Sequence, residues 1–394
     1  MSAKAHVAGV GMIPFAKPGA SAPYHAMGAE AARLALADAG IAYEDVAQAY
    51  AGYVYGDSTC GQRALYQVGA TGIPIVNVNN NCSTGSTALF LARQAVESGL
   101  ADCVLALGFE QMNPGALGAV FSDRDNVFAA FDEATDALVG QPGIPLALRY
   151  FGGAGLSHME KHGTPLSSFA KIRAKASRHA AKNPKAVFRK EVSAEDVLAD
   201  QVIWPGVMTR LMACPPTCGA AAAVLVSERF AQKRGLDRSV SIRAQAMTTD
   251  TPSTFEARDM MRVVGYDMAR AAADQVYEAA GVGPEDLDVV ELHDCFAHNE
   301  LITYEALRLC SEGGAERFID AGDNTYGGRT VTNPSGGLLS KGHPLGATGL
   351  AQCYELTRQL RGAAEATQVE GARLALQHNL GLGGACVTTL YERG

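Results

Sequence analysis

Two stretches of this chain repeat one another 241 residues apart, and that repetition limits the folds open to it. Ala31-Ala32-Arg33-Leu34-Ala35 through Gly40-Ile41, then Glu44-Asp45-Val46, is answered by Ala272-Ala273 through Gly281-Val282, then Glu285-Asp286-Leu287. Each reads as a helix, a glycine stop, an acidic turn and a strand. A second match pairs Cys82-Ser83-Thr84-Gly85-Ser86-Thr87-Ala88-Leu89 with His343-Pro344-Leu345-Gly346-Ala347-Thr348-Gly349-Leu350 at an offset of 261, which places Cys82 and His343 at equivalent helix starts. Two matches in the same order predict two similarly folded halves. The runs 103–107, 222–226 and 374–376 are apolar throughout, as strands covered on both faces require. With helical patterns between them, the expectation is a pair of α/β halves with buried sheets. At 394 residues and 47% hydrophobic, the chain can bury such a core.

Residues from about Phe121 to Trp204 break this rhythm and read as an inserted helical region. Nine Lys or Arg and no acidic residue fall between Lys161 and Lys190. Such a run is either a solvated helix face or a dock for a polyanion such as a nucleotide phosphate. A net charge of −8 argues against nucleic acid as the main partner. No apolar run approaches the roughly 18 residues of a membrane span, and the N-terminus lacks the apolar core of a signal peptide, so a cytoplasmic protein is expected. Nine cysteines without framework spacing predict reduced thiols.

Chemistry concentrates in four short segments. Asn79-Asn80-Asn81-Cys82-Ser83-Thr84-Gly85 follows an apolar β-branched run and precedes an amphipathic one, which puts Cys82 at a helix N-terminus. There the helix dipole is expected to lower the thiol pKa toward neutrality; the alternative is a small side chain packed at the junction. The others are Glu291-Leu292-His293-Asp294-Cys295-Phe296, Asn333-Pro334-Ser335-Gly336-Gly337 leading to Lys341-Gly342-His343-Pro344, and His378-Asn379-Leu380-Gly381-Leu382-Gly383-Gly384. Metal is not expected, because His293 with Cys295 and Cys214 with Cys218 lack the spacing of common zinc sites. No G-x-G-x-x-G supports a nicotinamide or flavin. Thiols, imidazoles and glycine backbone remain, the parts for acyl transfer. His298 and His378 either line the pocket or are hydrogen-bonded structural residues. Cys214 and Cys218 flank a Pro-Pro turn and read as structural, Cys60, Cys103, Cys310 and Cys353 as core, and Cys386 as buried in the closing strand.

Asn-Asn-Cys-Ser-Thr-Gly-Ser, His-Asp-Cys-Phe, Asn-Pro-Ser-Gly-Gly and Gly-His-Pro-Leu-Gly-Ala-Thr-Gly, in this order, resemble the thiolase superfamily, and more narrowly its sterol-carrier-protein-X type, from about His6 to Tyr391. The resemblance implies a thiolase fold: duplicated halves forming a five-layered αβαβα sandwich with an inserted loop domain. Residues 1–121 with about 205–240 would form the first half, 122–204 the loop domain that binds CoA, and 241–394 the second half. A fused sterol-carrier domain is not expected. The implied reaction is cleavage of a 3-ketoacyl-CoA by CoA, or its reverse, in fatty-acid or sterol side-chain degradation, by a homodimer with CoA as substrate and no other cofactor. By resemblance Cys82 carries the acyl group and His343 activates it. His293 stabilises the enolate side, Cys295 exchanges protons with the leaving enolate and incoming CoA, and the backbone N–H groups of Cys82 and Gly381 form an oxyanion hole. Most thiolases carry their second cysteine in a Cys-x-Gly motif where this chain has Asn379-Leu380-Gly381, and Cys295 takes over that part. The alternatives are a retro-aldolase that works with a partner protein and a non-catalytic acyl-CoA or lipid-binding protein.

Overall fold

The computed structural model describes residues 4–113 and 123–394. Among these described residues twelve strands run in chain order as β1 (Ala5–Met12), β2 (Gln48–Gly52), β3 (Ile75–Val78), β4 (Cys103–Glu110), β5 (Val202–Trp204), β6 (Met208–Thr209), β7 (Gly219–Ser227), β8 (Val240–Thr248), β9 (Val289–Glu291), β10 (Val331–Thr332), β11 (Leu374–Gly381) and β12 (Ala385–Arg393). Ten of them form one sheet in the order β10-β9-β11-β12-β8-β1-β7-β4-β2-β3, and β5 with β6 makes a separate ribbon.

The sheet is the same five-stranded unit used twice. In the first unit β2 runs parallel to β3 and β4, and β7 runs antiparallel to β4 and β1. In the second, β9 runs parallel to β10 and β11, and β12 runs antiparallel to β11 and β8. Even the register repeats. Ala49 lies opposite Ile75 and Leu105, and Val290, 241 residues later, lies opposite Thr332 and Leu376. The units meet edge to edge, where His6 of β1 pairs with Ser241 of β8.

The helices repeat as well. Tyr24–Ala39 stops at Gly40 with φ 68°, and Tyr266–Ala280 stops at Gly281 with φ 63°. Glycine takes this left-handed conformation without the penalty of a Cβ. An acidic turn follows each, in which the Asp45 or Asp286 carboxylate accepts the N–H of Ala42 or Gly283. These two helices cover β1 with β7 and β8 with β12 from outside. The helices Thr84–Glu97 and Thr348–Arg361 touch each other and strands of both units, so they lie between them. Helix, sheet, paired helices, sheet and helix give the expected five-layered αβαβα sandwich.

One detail of the duplication differs from the sequence match. The inner helices start at Thr84 and Thr348, so Thr84-Gly85 corresponds to Thr348-Gly349 and the offset is 264 rather than 261. Cys82 stands just before the Ser83 cap, whereas His343 lies five residues ahead of its helix. The helices cross at Gly85 and Gly349. A Cβ on Gly85 would sit 2.8 Å from the Gly346 oxygen, and one on Gly349 would sit 2.1 Å from Ser86 Oγ.

Between β4 and β7 lie the helices Ala129–Val139, Leu146–His162, Leu166–Ala181 and Ala194–Leu198. The start of the insertion expected at 121–122 falls outside the described residues. Its basic run is not the continuous positive patch the sequence suggested. Arg173 and Lys175 are buried, the first donating to Ser340 Oγ at 2.6 Å and the second paired with Glu300 and donating to Thr332 Oγ1 at 2.6 Å. Lys161 and Lys171 pair with Glu312 and Asp320, and Lys185 donates to the Met12 carbonyl. These charges clamp the insertion onto both units, Lys185 onto β1 of the first and the others onto the second, and Arg178, Lys182, Arg189 and Lys190 remain exposed.

A Cβ on Gly108 of β4 would meet the Gly346 oxygen at 2.2 Å. Gly108→Ala is therefore expected to destabilise the protein by about 3 kcal/mol through backbone displacement, measured as a shifted midpoint in urea unfolding; an unchanged midpoint would show that the helix start yields freely.

Candidate active site

Three separate segments bring their reactive side chains to one point. Cys82 lies in the tight turn between β3 and the first inner helix, where Asn81 takes φ 50° and Thr84 Oγ1 donates to the Asn81 carbonyl. His293 and Cys295 follow β9 directly and precede the buried helix Ala297–Ala306. His343 follows a π-turn, Gly337–Lys341, whose Leu338 N–H donates to the buried Asp294 carboxylate at 2.7 Å. The Cys82 sulfur and one ring nitrogen each of His293 and His343 lie within 4.8 Å of one another, and the two rings stand edge to face at 5.0 Å. All three side chains are buried.

Hydrogen bonds leave the same nitrogen open on both rings. Thr348 Oγ1 donates to the Pro344 carbonyl, so its oxygen accepts from His343 Nδ1 at 2.7 Å. This assigns the His343 proton to Nδ1 and leaves a lone pair on the unpartnered Nε2. His293 Nδ1 lies 3.0 Å from Asn379 Nδ2, and its Nε2 is again buried without a partner. Gly381 ends β11 against the nucleophile turn, where a Cβ would lie 2.3 Å from the Asn80 oxygen. The N–H groups of Cys82 and Leu382 act on the sulfur, so the loop just beyond Gly381 supplies a backbone donor there.

The electrostatics overturn the expected thiolate. Burial pushes the Cys82 thiol up to about 12, the Glu110 carboxylate adds to the rise, and the backbone N–H groups of Cys82 and Leu382 offset it only in part. The helix begins beyond Cys82, and loss of water outweighs the dipole. Burial also holds His343 down to about 3 and His293 well below the usual imidazole range, with His343 and His378 adding to the latter. Cys295 is pushed well up by burial and then by Cys214 and Cys82. The centre at rest is a set of neutral thiols and neutral imidazoles.

Sequence reasoning passed over Thr217 and Glu110 and read Cys214 as structural. Cys214 donates its N–H to the Cys295 carbonyl at 2.8 Å, and Thr217 Oγ1 accepts the His343 N–H at 2.5 Å. The Cys214-Pro215-Pro216-Thr217 turn thus braces both reactive segments, and the two prolines were the visible signal of its rigidity. Glu110, buried at the end of β4, accepts from Val54, Tyr55 and Gly346 N–H groups at 3.0 Å each. Burial raises its carboxyl to about 7 despite those three bonds. His378 is buried and accepts the His293 N–H at 3.4 Å, whereas His298 bonds the Val207 carbonyl and packs on Phe169. Cys218 and Cys386 are buried. Among the described residues one more cluster has metal-holding proximity, His158, His162 and Glu305, from a His-x-x-x-His spacing that the sequence reading missed. Both nitrogens of His158 are already occupied there, by Thr164 and Glu305.

A cysteine at the start of one inner helix with two imidazoles gathered beside it, on a duplicated αβαβα frame, defines an acyl-transfer enzyme of the thiolase class. The chain belongs to the thiolase family: residues 6–229 match the thiolase N-terminal domain and 246–391 the thiolase C-terminal domain-like model. Rabbit (Oryctolagus cuniculus) sterol carrier protein 2 is 56% identical over 395 residues, covering 98% of this chain and 72% of that protein. Among solved structures, an Ltp2-ChsH2(DUF35) aldolase superposes with TM-score 0.83 at 22% identity over 99% of this chain and 98% of its own. Human mitochondrial 3-ketoacyl-CoA thiolase in complex with CoA superposes with TM-score 0.76 at 18% identity, covering 100% and 98%. At such identities these two share the fold. The protein is an acyltransferase, and no helix among its described residues is long and apolar enough to cross a membrane.

A neutral Cys82 predicts its reactivity. Alkylation of Cys82 by iodoacetamide in the free protein should accelerate continuously from pH 6 to pH 10, because the thiolate fraction is still rising below about 12. Mass spectrometry of the Cys82 peptide reads the rate, and a plateau near pH 7 would reveal a preformed thiolate.

Proposed function

We propose that the protein is a thiolase that cleaves a 3-ketoacyl-CoA with CoA through an acyl-Cys82 intermediate, in fatty-acid or sterol side-chain degradation. The observation that carries this reading is the convergence of Cys82 with His293 and His343 within 4.8 Å, both rings presenting an unpartnered nitrogen. His343 Nε2, with its lone pair, takes the Cys82 proton as sulfur attacks the 3-keto carbon. The backbone N–H groups of Cys82 and Gly381, joined by that of Leu382, receive the tetrahedral oxyanion. The C2–C3 bond then breaks, its electrons pass into an enolate facing His293, and Cys295 protonates that carbon. In the second half the Cys295 thiolate takes the proton of CoA, the CoA sulfur attacks the thioester, and Cys82 leaves and recovers its proton from His343.

Residues 122–204 serve as the loop domain, with 1–121 plus about 205–240 and 241–394 as the two halves; the exposed Arg178, Lys182, Arg189 and Lys190 suit CoA phosphates. The nine free cysteines suit a reducing compartment such as the cytoplasm, and a homodimer completes the reading. The retro-aldolase alternative draws on the aldolase superposition at TM-score 0.83. Retention of Cys82, His293, Cys295 and His343 in one cluster favours the thiolase.

The test is CoA-dependent loss of 3-ketoacyl-CoA by the purified protein. Cys82→Ala should lose at least roughly 1000-fold in kcat, and absence of cleavage by the unmodified protein across short, long and branched substrates would overturn the reading. Cys295→Ala should still form acyl-Cys82, seen as a mass increment, while turnover stops; full turnover in that variant would refute its role.

A further inference from the structure

His293 sits in a chain of buried hydrogen bonds that begins at a backbone carbonyl of its own half and passes through Ser86 of the other. Gln377 Nε2 donates to the Gly349 carbonyl at 2.8 Å and to Ser86 Oγ at 2.6 Å, while Gln377 Oε1 accepts from the Tyr391 hydroxyl. A carbonyl can only accept, so the Gln377 amide has one permitted orientation. Ser86 Oγ, already receiving a proton from Gln377, must give its own to an acceptor, and it does so to Asn379 Oδ1 at 2.8 Å. That turns the Asn379 NH2 toward His293 Nδ1 at 3.0 Å. Were the Asn379 amide reversed, Ser86 would face two donors and its buried proton would have no acceptor, a costly arrangement. Ser86, Gln377, Asn379 and Tyr391 are all fully buried, so water cannot relieve such a mismatch.

We propose that Asn379, oriented through Ser86 and Gln377 by the Gly349 carbonyl, is a positioning residue that fixes His293 as the tautomer with its proton on Nε2. His293 then offers the reaction a donor, whereas His343, held by Thr348 as the opposite tautomer, offers an acceptor. The two rings that share one thiol are thereby assigned different work: His343 removes a proton and His293 stabilises a developing oxyanion. The chain also gives a reason for asparagine at the position where most thiolases place a second cysteine, because the amide receives from Ser86 and donates to His293 through two separate strong groups, whereas a thiol is a weak donor and weak acceptor on a single atom. The assignment of the tautomer stands on hydrogen bonding alone; its catalytic consequence rests on the thiolase reading. The titratable groups facing His293 are His343, His378 and Cys82.

The test uses the full-length protein labelled with 15N-histidine, with nitrogen NMR to locate each ring proton and a His293→Asn spectrum for assignment. The expected result is a single His293 signal set with Nε2 protonated and Nδ1 bare. Ser86→Ala, which touches neither ring, should release the Asn379 amide and populate both tautomers. Asn379→Asp should place a proton on His293 Nδ1 and lower kcat by roughly 100-fold, the scale of one lost oxyanion donor, with KM within about twofold; Ser86→Ala should fall between it and the unmodified enzyme. Circular dichroism and unfolding midpoints separate misfolded variants from repositioned ones. A His293 proton on Nδ1 in the unmodified protein, or a single unchanged tautomer in Ser86→Ala, would overturn the proposal. Should the tautomers behave as expected while no 3-ketoacyl-CoA is cleaved, the thiolase reading fails and the positioning role stands.

Discussion

Two helix starts that meet through glycines are the constraint on which the reactive centre depends. Gly85 and Gly349 let the inner helices approach until backbone touches backbone, and Gly108 lets β4 lie against the same turn at Gly346. Any side chain at these points would push the Cys82 turn away from the His343 segment. Close packing of this kind transmits small volume changes directly. The Glu110 carboxylate adds a polar tie, collecting N–H groups from the Val54-Tyr55 loop and from Gly346. Geometry at the sulfur is thus set by contacts made by glycines and one buried acid, none of which reacts.

Much of this was legible in the chain before the structure. The repeat at 241 residues predicted a helix, a glycine stop, an acidic turn and a strand twice over, and the register of β2 and β9 follows it residue for residue. The reactive segments were legible because their glycines and prolines mark turns after apolar strands. The second repeat was misplaced by three residues, because a short run of Thr and Gly matches itself at more than one offset. Only the helix crossing decides that Thr84-Gly85 answers Thr348-Gly349.

The basic insertion was misread for a different reason. Charged residues in a helix are ordinarily expected at the surface, but Arg173 and Lys175 are buried against Ser340, Glu300 and Thr332, partners more than a hundred residues away. No local pattern announces such a partner. Cys214 was legible as structural but its partner was not: Cys295 is close through a backbone bridge between distant segments. Local periodicity reports which face is apolar, and it carries no information about which distant group a charge or thiol will meet.

Burial at the centre raises the thiols and lowers the imidazoles, so its effects on Cys82, His293 and His343 all favour the uncharged state. A thiolate beside an imidazolium would be expensive to hold in so dry a place. Holding the groups neutral transfers that cost to the moment when a bound carbonyl begins to accept negative charge. Nearby N–H dipoles, fixed by the fold, then act in a low-dielectric space without first having to reorient. This explains why an arrangement that opposes ionisation at rest can still support attack by sulfur. It also explains why ring orientation matters: with both rings neutral at rest, the polarity of each ring nitrogen decides which can accept the Cys82 proton and which can donate to the developing oxyanion.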